Sequence, residues 1–123
     1  MAVLSIHHVS LIVADTQTSV DFYTKILGLS ARDDRPQLDF AGAWLNIGEH
    51  QIHLLELDNP DPVENRPAHG GRDRHLAMSV DNLDEIEQVL LGNNIAVSRS
   101  KSGRAALFCR DPDGNGVELV GAI

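Results

Sequence analysis

Four side chains that could bind a metal ion occupy two similar pairs of positions in this chain. His8 opens the apolar stretch "HVSLIV" and His75 opens "HLAMSV"; His53 lies in "GEHQIHLL" and Glu118 in "DGNGVELV". Imidazole nitrogens and a carboxylate oxygen suit Zn²⁺, Ni²⁺, Fe²⁺, Mn²⁺ or Co²⁺ better than Mg²⁺ or Ca²⁺, which favour oxygen ligands alone. We therefore expect one divalent transition metal ion, whose identity the sequence leaves open.

Such a metal ion would support chemistry on a small substrate that offers two neighbouring oxygen atoms. Four protein ligands in a six-coordinate arrangement leave two adjacent positions for that substrate. A chelated metal polarises a carbonyl group, and the reaction then needs a base. Glu118, a carboxylate that could loosen from the metal, is the candidate for moving the proton. The pattern indicates a metal-dependent lyase or isomerase.

The elements that must position these side chains are written twice in the sequence. The stretch "HHVSLIVADT" (7–16) is echoed by "RHLAMSVDNL" (74–83), and in each an Asp, Asp15 or Asp81, is a candidate helix N-cap. An apolar helical stripe follows each echo and ends at a glycine, Gly28 or Gly92, where a left-handed cap is easiest. Strand-like stretches then follow at about 29–33, 41–47 and 50–57, and at about 95–99, 104–109 and 116–120.

This order predicts an α+β fold made of two tandem βαβββ modules in a single domain over residues 1–123. The first module covers about 1–57, a loop-like linker rich in Pro, Gly, Asp and Asn covers about 58–73, and the second module covers about 74–123. We expect a curved sheet around a metal cleft, with the helices on its outer face.

Strand alternation places the four candidate ligands on equivalent faces. In the first strand His8 shares a face with Ser10, opposite Val9 and Leu11, because successive side chains point to opposite sides of a sheet. The same parity applies to the other three candidates. If the modules pair about a pseudo-two-fold axis, His8, His53, His75 and Glu118 converge. The pairing could occur within one chain or between two chains.

Other residues are weaker candidates. Trp44 could line the cavity or pack in the sheet, and Arg72 and His69, in a linker rich in arginine, could contact substrate or belong to a solvated loop with local ion pairs. Glu56 is the fallback ligand in place of His53, although it shares parity with the apolar residues of its strand. Arg110 could pair with Asp111 or Asp113.

Composition excludes several function classes. Ten Lys and Arg against 18 Asp and Glu give a formal net charge of −8, which lacks the basic footprint of a nucleic-acid binder. There is no apolar run of the roughly 18 residues that a membrane span needs, and no signal-peptide pattern at the start. A cytoplasmic protein is expected. A homodimer is also expected, because paired modules leave sheet edges that need cover.

The stretches "HHVSLIVADTQTSVDFYTKILGL", "QIHLLEL", "RHLAMSVDNL" and "FCRDPDGNGVEL" resemble the vicinal oxygen chelate superfamily, which includes glyoxalase I, fosfomycin-resistance proteins and extradiol dioxygenases. The resemblance implies the tandem βαβββ fold and assigns the metal ligands to His8, His53, His75 and Glu118. It does not imply glutathione as a substrate, since Ile12 and Leu57 stand where glyoxalase I of bacterial type has Arg and Asn.

The resemblance also leaves two alternatives to a glyoxalase-like enzyme. One is a non-haem Fe(II) dioxygenase of extradiol type, because His8, His75 and Glu118 alone would satisfy a site of two histidines and one carboxylate. The other is a non-catalytic protein that binds a small molecule such as an antibiotic. Metal content and oxygen consumption would discriminate among the three.

Overall fold

The computed structural model describes residues 1–122 and divides the chain into two compact units. The first unit, Met1–Pro60, contains β1, α1, a short π-helical segment, β2, β3 and β4. Their bounds are β1 His8–Val13, α1 Thr16–Asp21, the π-helical segment Phe22–Ile26, β2 Ser30–Ala31, β3 Gly42–Ile47 and β4 His50–Glu56. The sheet order is β1-β4-β3-β2, with β1 parallel to β4 and the other pairs antiparallel.

The second unit begins at Asp61 and repeats this order of strands and helix. A 3-10 turn at Gly70–Arg72, inside the segment predicted to be loop, comes first. The other bounds are β5 His75–Val80, α2 Leu83–Gly92, β6 Ser98–Arg99, β7 Ala106–Arg110 and β8 Gly116–Gly121. The sheet order is β5-β8-β7-β6, with β5 parallel to β8. The predicted α+β class and the tandem βαβββ arrangement are confirmed.

Each sheet has one buried apolar face and one face that carries the candidate site residues. In the first unit Leu45, Ile52 and Leu54 are at most 1% exposed, and α1 contacts β3 and β4. In the second unit the equivalent buried residues are Leu107, Val117 and Leu119, and α2 contacts β7 and β8. Full burial of one such side chain contributes about 1.5–3 kcal/mol, so these faces fix the strand register.

The helix caps agree with prediction in the first unit and differ in the second. The Asp15 side chain accepts from Thr18 N, and Gly28 adopts a φ of +81° just after the π-helical segment, both as predicted. In the second unit the N-cap is Asn82, whose Oδ1 accepts from Glu85 N; the prediction of Asp81 is wrong by one residue.

The end of α2 also differs from the sequence prediction. The helix runs through Gly92, so the left-handed position falls two residues later, at Asn94, with a φ of 60°. Asparagine tolerates that conformation better than most residues with a side chain. No helix within residues 1–122 has both the length and the apolar character needed to cross a membrane.

Candidate functional site

In the first unit, strand pairing brings two histidines together. The parallel register of β1 and β4 sets Ser10 beside His53 and His8 beside Gln51. The His8 and His53 rings stack with their centroids 3.9 Å apart and their planes within 16°. The two predicted ligands of this unit are therefore neighbours, as the parity argument required.

His53 is held from its other side by residues of its own sheet. Trp44 lies opposite His53 on β3, and the two rings stack with centroids 4.3 Å apart. The Nε2 atom of His53 lies 2.8 Å from Gln51 Oε1. Burial, with a smaller contribution from the positive charge of His8, lowers the pKa of His53. Histidine ligates metals in its neutral form, so this environment favours the ligating state.

In the second unit, the equivalent register brings His75 and Glu118 together. Ala77 lies beside Glu118 and His75 beside Gly116 in the parallel pairing of β5 and β8. The distance from His75 Nε2 to Glu118 Oε1 is 3.1 Å, and Glu118 is only 3% exposed. A Cβ on Gly116 would lie 2.9 Å from the carbonyl oxygen of Arg74 and 3.0 Å from His75 Cβ. A glycine at position 116 thus permits the approach of His75.

The other ring nitrogen of His75 is oriented by the backbone. Its Nδ1 atom lies 2.9 Å from the carbonyl oxygen of Asp73. A carbonyl oxygen can only accept, so Nδ1 donates the proton, and Nε2 is the nitrogen that faces Glu118. Protein-bound metals commonly rely on this second hydrogen bond to orient a histidine ligand.

Asp73 is itself fixed by two arginines. Its carboxylate pairs with Arg66 and lies 2.9 Å from Arg110 Nη1. The hydrogen bond from Arg66 is the main cause that lowers the pKa of Asp73, and the one from Arg110 adds to it. Arg110 pairs with this aspartate, a partner that the sequence analysis did not name. The network positions the chain immediately before His75.

The second oxygen of Glu118 is engaged by a residue that the sequence did not single out. Arg104 Nη2 lies 2.5 Å from Glu118 Oε2, and the arginine side chain is 57% exposed. Phe108 lies opposite Glu118 on β7, and its ring meets that of His75 edge-on with centroids 5.2 Å apart. The carboxylate therefore has a histidine at one oxygen and an arginine at the other.

The weaker candidates take different positions. His69 caps the 3-10 turn by accepting from Gly71 N at 3.0 Å; its ring lies 5.0 Å from that of Phe108, and its buried Nε2 has no hydrogen-bond partner in the described chain. Arg72 is exposed at the end of that turn. Glu56 Oε1 accepts from Thr16 N at 2.8 Å, which ties the fallback ligand to the start of α1.

Cys109 is a buried residue whose surroundings disfavour the reactive thiolate. It is buried in β7, and burial, together with the negative charge of Asp111, raises the pKa of its thiol to about 12. The thiolate, which is the reactive form, is therefore scarce at neutral pH.

Each unit contributes two of the candidate metal ligands. Taken separately, neither unit has three or more His, Cys, Asp or Glu side chains grouped for a metal ion in its described part. Each contributes one close pair, His8 with His53 and His75 with Glu118. Three imidazoles and one buried carboxylate match the chemistry of a transition metal, so the residues present suit the group that the sequence predicts.

The comparisons with known proteins agree with this architecture. Residues 5–119 match the Glyoxalase/Bleomycin resistance protein/Dioxygenase superfamily, and the chain belongs to this family. It is 34% identical to the lactoylglutathione lyase of Escherichia coli O157:H7, over 92% of this chain and 89% of the relative.

Two solved structures share the fold at lower identity. The first is an E126Q mutant of the fosfomycin resistance protein FosX from Listeria monocytogenes, complexed with Mn(II) and 1S,2S-dihydroxypropylphosphonic acid. It has a TM-score of 0.79 and 17% identity, with coverage of 99% of this chain and 95% of that one. The second is the antibiotic-binding protein TnmS3 from Streptomyces sp. CB03234, with a TM-score of 0.72 and 22% identity, over 100% and 99% of the two chains.

Proposed function

We propose that this protein is a metal-dependent lyase or isomerase of glyoxalase type that acts on a small substrate through two neighbouring oxygen atoms. The observation that carries the proposal is the environment of Glu118. This carboxylate is 3% exposed, and its Oε1 lies 3.1 Å from Nε2 of His75, a histidine oriented by the backbone. Its register is equivalent to that of His53 in the other unit. The 34% identity to a lactoylglutathione lyase supports the same class of chemistry.

In this proposal His8, His53, His75 and Glu118 hold one divalent transition metal ion. When bound, the ion supplies Lewis-acid polarisation of a substrate carbonyl, which is worth several kcal/mol in comparable enzymes. The two pairs combine either within one chain or across a homodimer. Sedimentation velocity will determine whether a dimer forms.

The chain's own residues would move the proton. Glu118 accepts a proton from the substrate carbon next to the polarised carbonyl, and in an isomerisation it returns that proton to the neighbouring carbon. The protein therefore ends in its starting protonation state. The carbonyl of Asp73 orients the His75 ring, so that Nε2, the nitrogen that would bind the metal, lies 3.1 Å from Glu118 Oε1.

The remaining site residues have supporting parts in the proposal. Trp44 positions His53 by ring stacking, and its indole extends the same face of the sheet. His69 and Arg72, at the two ends of the 3-10 turn before β5, contact the substrate from the linker side.

The direct test is the substitution Glu118→Gln, which keeps the shape and removes the base. The protein is loaded with each candidate metal, and proton exchange of 2-oxoaldehydes and their thiol adducts in D₂O is followed by NMR. We expect a loss of about 10²- to 10⁴-fold in exchange rate, the usual contribution of a general base. Glu85→Gln, which removes an exposed carboxylate in the first turn of α2, is the matched control and should keep its rate. Full exchange activity in Glu118→Gln would refute the role of Glu118.

The same preparations separate the alternatives. Elemental analysis that finds no stoichiometric metal after loading would favour the non-catalytic binding protein. Oxygen consumption with catechols by the Fe(II)-loaded protein, measured after anaerobic loading, would favour the extradiol dioxygenase.

A further inference from the structure

Glu118 is a buried carboxylate whose counter-charge comes from the surface. The side chain of Glu118 is 4% exposed, whereas that of Arg104, 2.5 Å away, is 57% exposed. An ionised carboxylate is costly to bury without an opposite charge or several hydrogen bonds. In the present structure Arg104 provides that opposite charge.

Arg104 is held by few other contacts. It lies in the connection between β6 and β7, and besides Glu118 its side chain reaches Ser102 Oγ, at 3.3 Å from Nε. An exposed guanidinium exchanges partners at little cost, because water screens its ion pairs. The other arginines of this unit that have carboxylate partners are engaged elsewhere: Arg66 and Arg110 with Asp73, Arg74 with Asp61, and Arg99 with Asp84 and Glu87.

We propose that Arg104 exchanges partners when the site is loaded. A metal ion bound to Glu118 takes over the neutralisation of its charge, and the Arg104 guanidinium then binds an anionic group of the substrate. This inference rests on the proposed function and names its substrate class: a small molecule with two neighbouring metal-binding oxygens and a separate carboxylate or phosphonate. A guanidinium recognises both groups through paired hydrogen bonds.

The first experiment measures metal binding by calorimetry without substrate, on the full-length protein. Because Arg104 competes with the metal for Glu118, Arg104→Gln should bind Zn²⁺ or Mn²⁺ several-fold more tightly than the wild type. Arg99→Gln, which removes an arginine paired with helix α2 of the same unit, is the matched control and should leave the metal affinity unchanged. A weaker or unchanged metal affinity in Arg104→Gln would contradict the proposed competition.

The second experiment measures the binding of three chelating probes to the metal-loaded protein. Acetohydroxamate offers two neighbouring oxygens, and the other two probes are hydroxamates that carry a terminal carboxylate or a terminal phosphonate. We expect the wild type to bind at least one charged probe about tenfold more tightly than acetohydroxamate, the size of one charge-assisted contact. The probe that gains more shows which anion the site prefers.

Arg104→Gln should lose this preference and keep its affinity for acetohydroxamate, while Arg99→Gln should keep both. Arg104→Lys retains the charge and should keep part of the preference for a charged probe. This variant therefore separates the loss of the charge from a folding defect. A preference that survives in Arg104→Gln, or one that is absent in the metal-loaded wild type, would overturn the inference. Failure of the wild type to bind metal would instead refute the proposed function.

Discussion

The two units place their candidate ligands in the same strand register but surround them with different chemistry. In the first unit His53 lies between two aromatic rings, Trp44 and His8, in a stack that contains no carboxylate. In the second unit Glu118 lies between a histidine and an arginine. Sequence repetition therefore preserves where a side chain is placed, while its electrostatic environment is set by neighbours that do not repeat.

Under the proposed function, this difference would give the two units different roles. The aromatic half lowers the pKa of His53 and keeps a neutral donor ready, which suits a ligand that never changes its charge. In the second unit Glu118 lies beside His75 and Arg104, and this environment influences how readily the carboxylate binds a proton. That suits a residue that exchanges a proton. The register alone would not distinguish the two.

The largest effect is expected where the units are most alike, in their cores. Leu54 and Leu119 occupy equivalent strand positions and are each 1% exposed. Replacing either by Ala should lower the free energy of unfolding by about 2–5 kcal/mol, because it removes apolar contacts and leaves a cavity. Urea denaturation measures both, and Leu91→Ala, at a residue that is 49% exposed, serves as the control with a change within about 0.5 kcal/mol. A cost confined to one of the two cores would break the equivalence.

A smaller effect is expected at Gly116 and Gln51, which occupy equivalent strand positions beside His75 and His8. Gly116→Ala should cost about 1–3 kcal/mol, because its Cβ would meet the Arg74 carbonyl oxygen and His75 Cβ. Gln51→Ala, at the equivalent position, removes only the hydrogen bond to His53 and should cost about 0.5–1.5 kcal/mol. Denaturation gives both values, and histidine ring signals in NMR should shift for His75 in the first variant and for His53 in the second. A change within about 0.5 kcal/mol of zero for Gly116→Ala would mean that the close approach at Gly116 has no energetic consequence.

The smallest effect is expected for Asp73, the charged residue that fixes the chain just before β5. Asp73 has a pKa lowered from 3.8 by Arg66 and Arg110, so the folded state favours the ionised form. Asp73→Asn should lower the Tm at neutral pH. The gap in Tm between wild type and variant should narrow as the pH falls below 3.8, because the unfolded wild type then takes up a proton on this carboxylate while the folded form keeps it ionised, which favours unfolding. Thermal denaturation between pH 7 and 2 measures this, and a gap that widens toward acid would contradict the assignment.

The repeat in the sequence was sufficient to predict the fold and to place the two candidate ligands of each unit beside each other. Alternation along β1 and β4, with the matching pattern in β5 and β8, is a property of side-chain type and spacing, so it can be read directly. Gln51 shares the parity of His53 two residues away, and that signal was present in the sequence although it was not used.

Other features depend on distances that spacing does not encode. Arg104 comes from an irregular connection between strands and reaches Glu118 across fourteen positions of chain, so no periodicity identifies it. The choice of Asn82 over Asp81 as N-cap was undetermined for a related reason: both side chains can cap, and only the backbone at the start of α2 decides between them. Asp73 likewise looked like one of several linker acids before its two arginines were seen.

The burial of Cys109, whose thiol pKa is about 12, has a practical consequence. The chain contains one cysteine, and we expect that cysteine to react slowly with maleimides under native conditions. Spin labels or fluorophores can therefore be attached to cysteines introduced at chosen surface positions in the natural background. With one label in each unit, spectroscopy would measure the distance between the two units before and after metal is added.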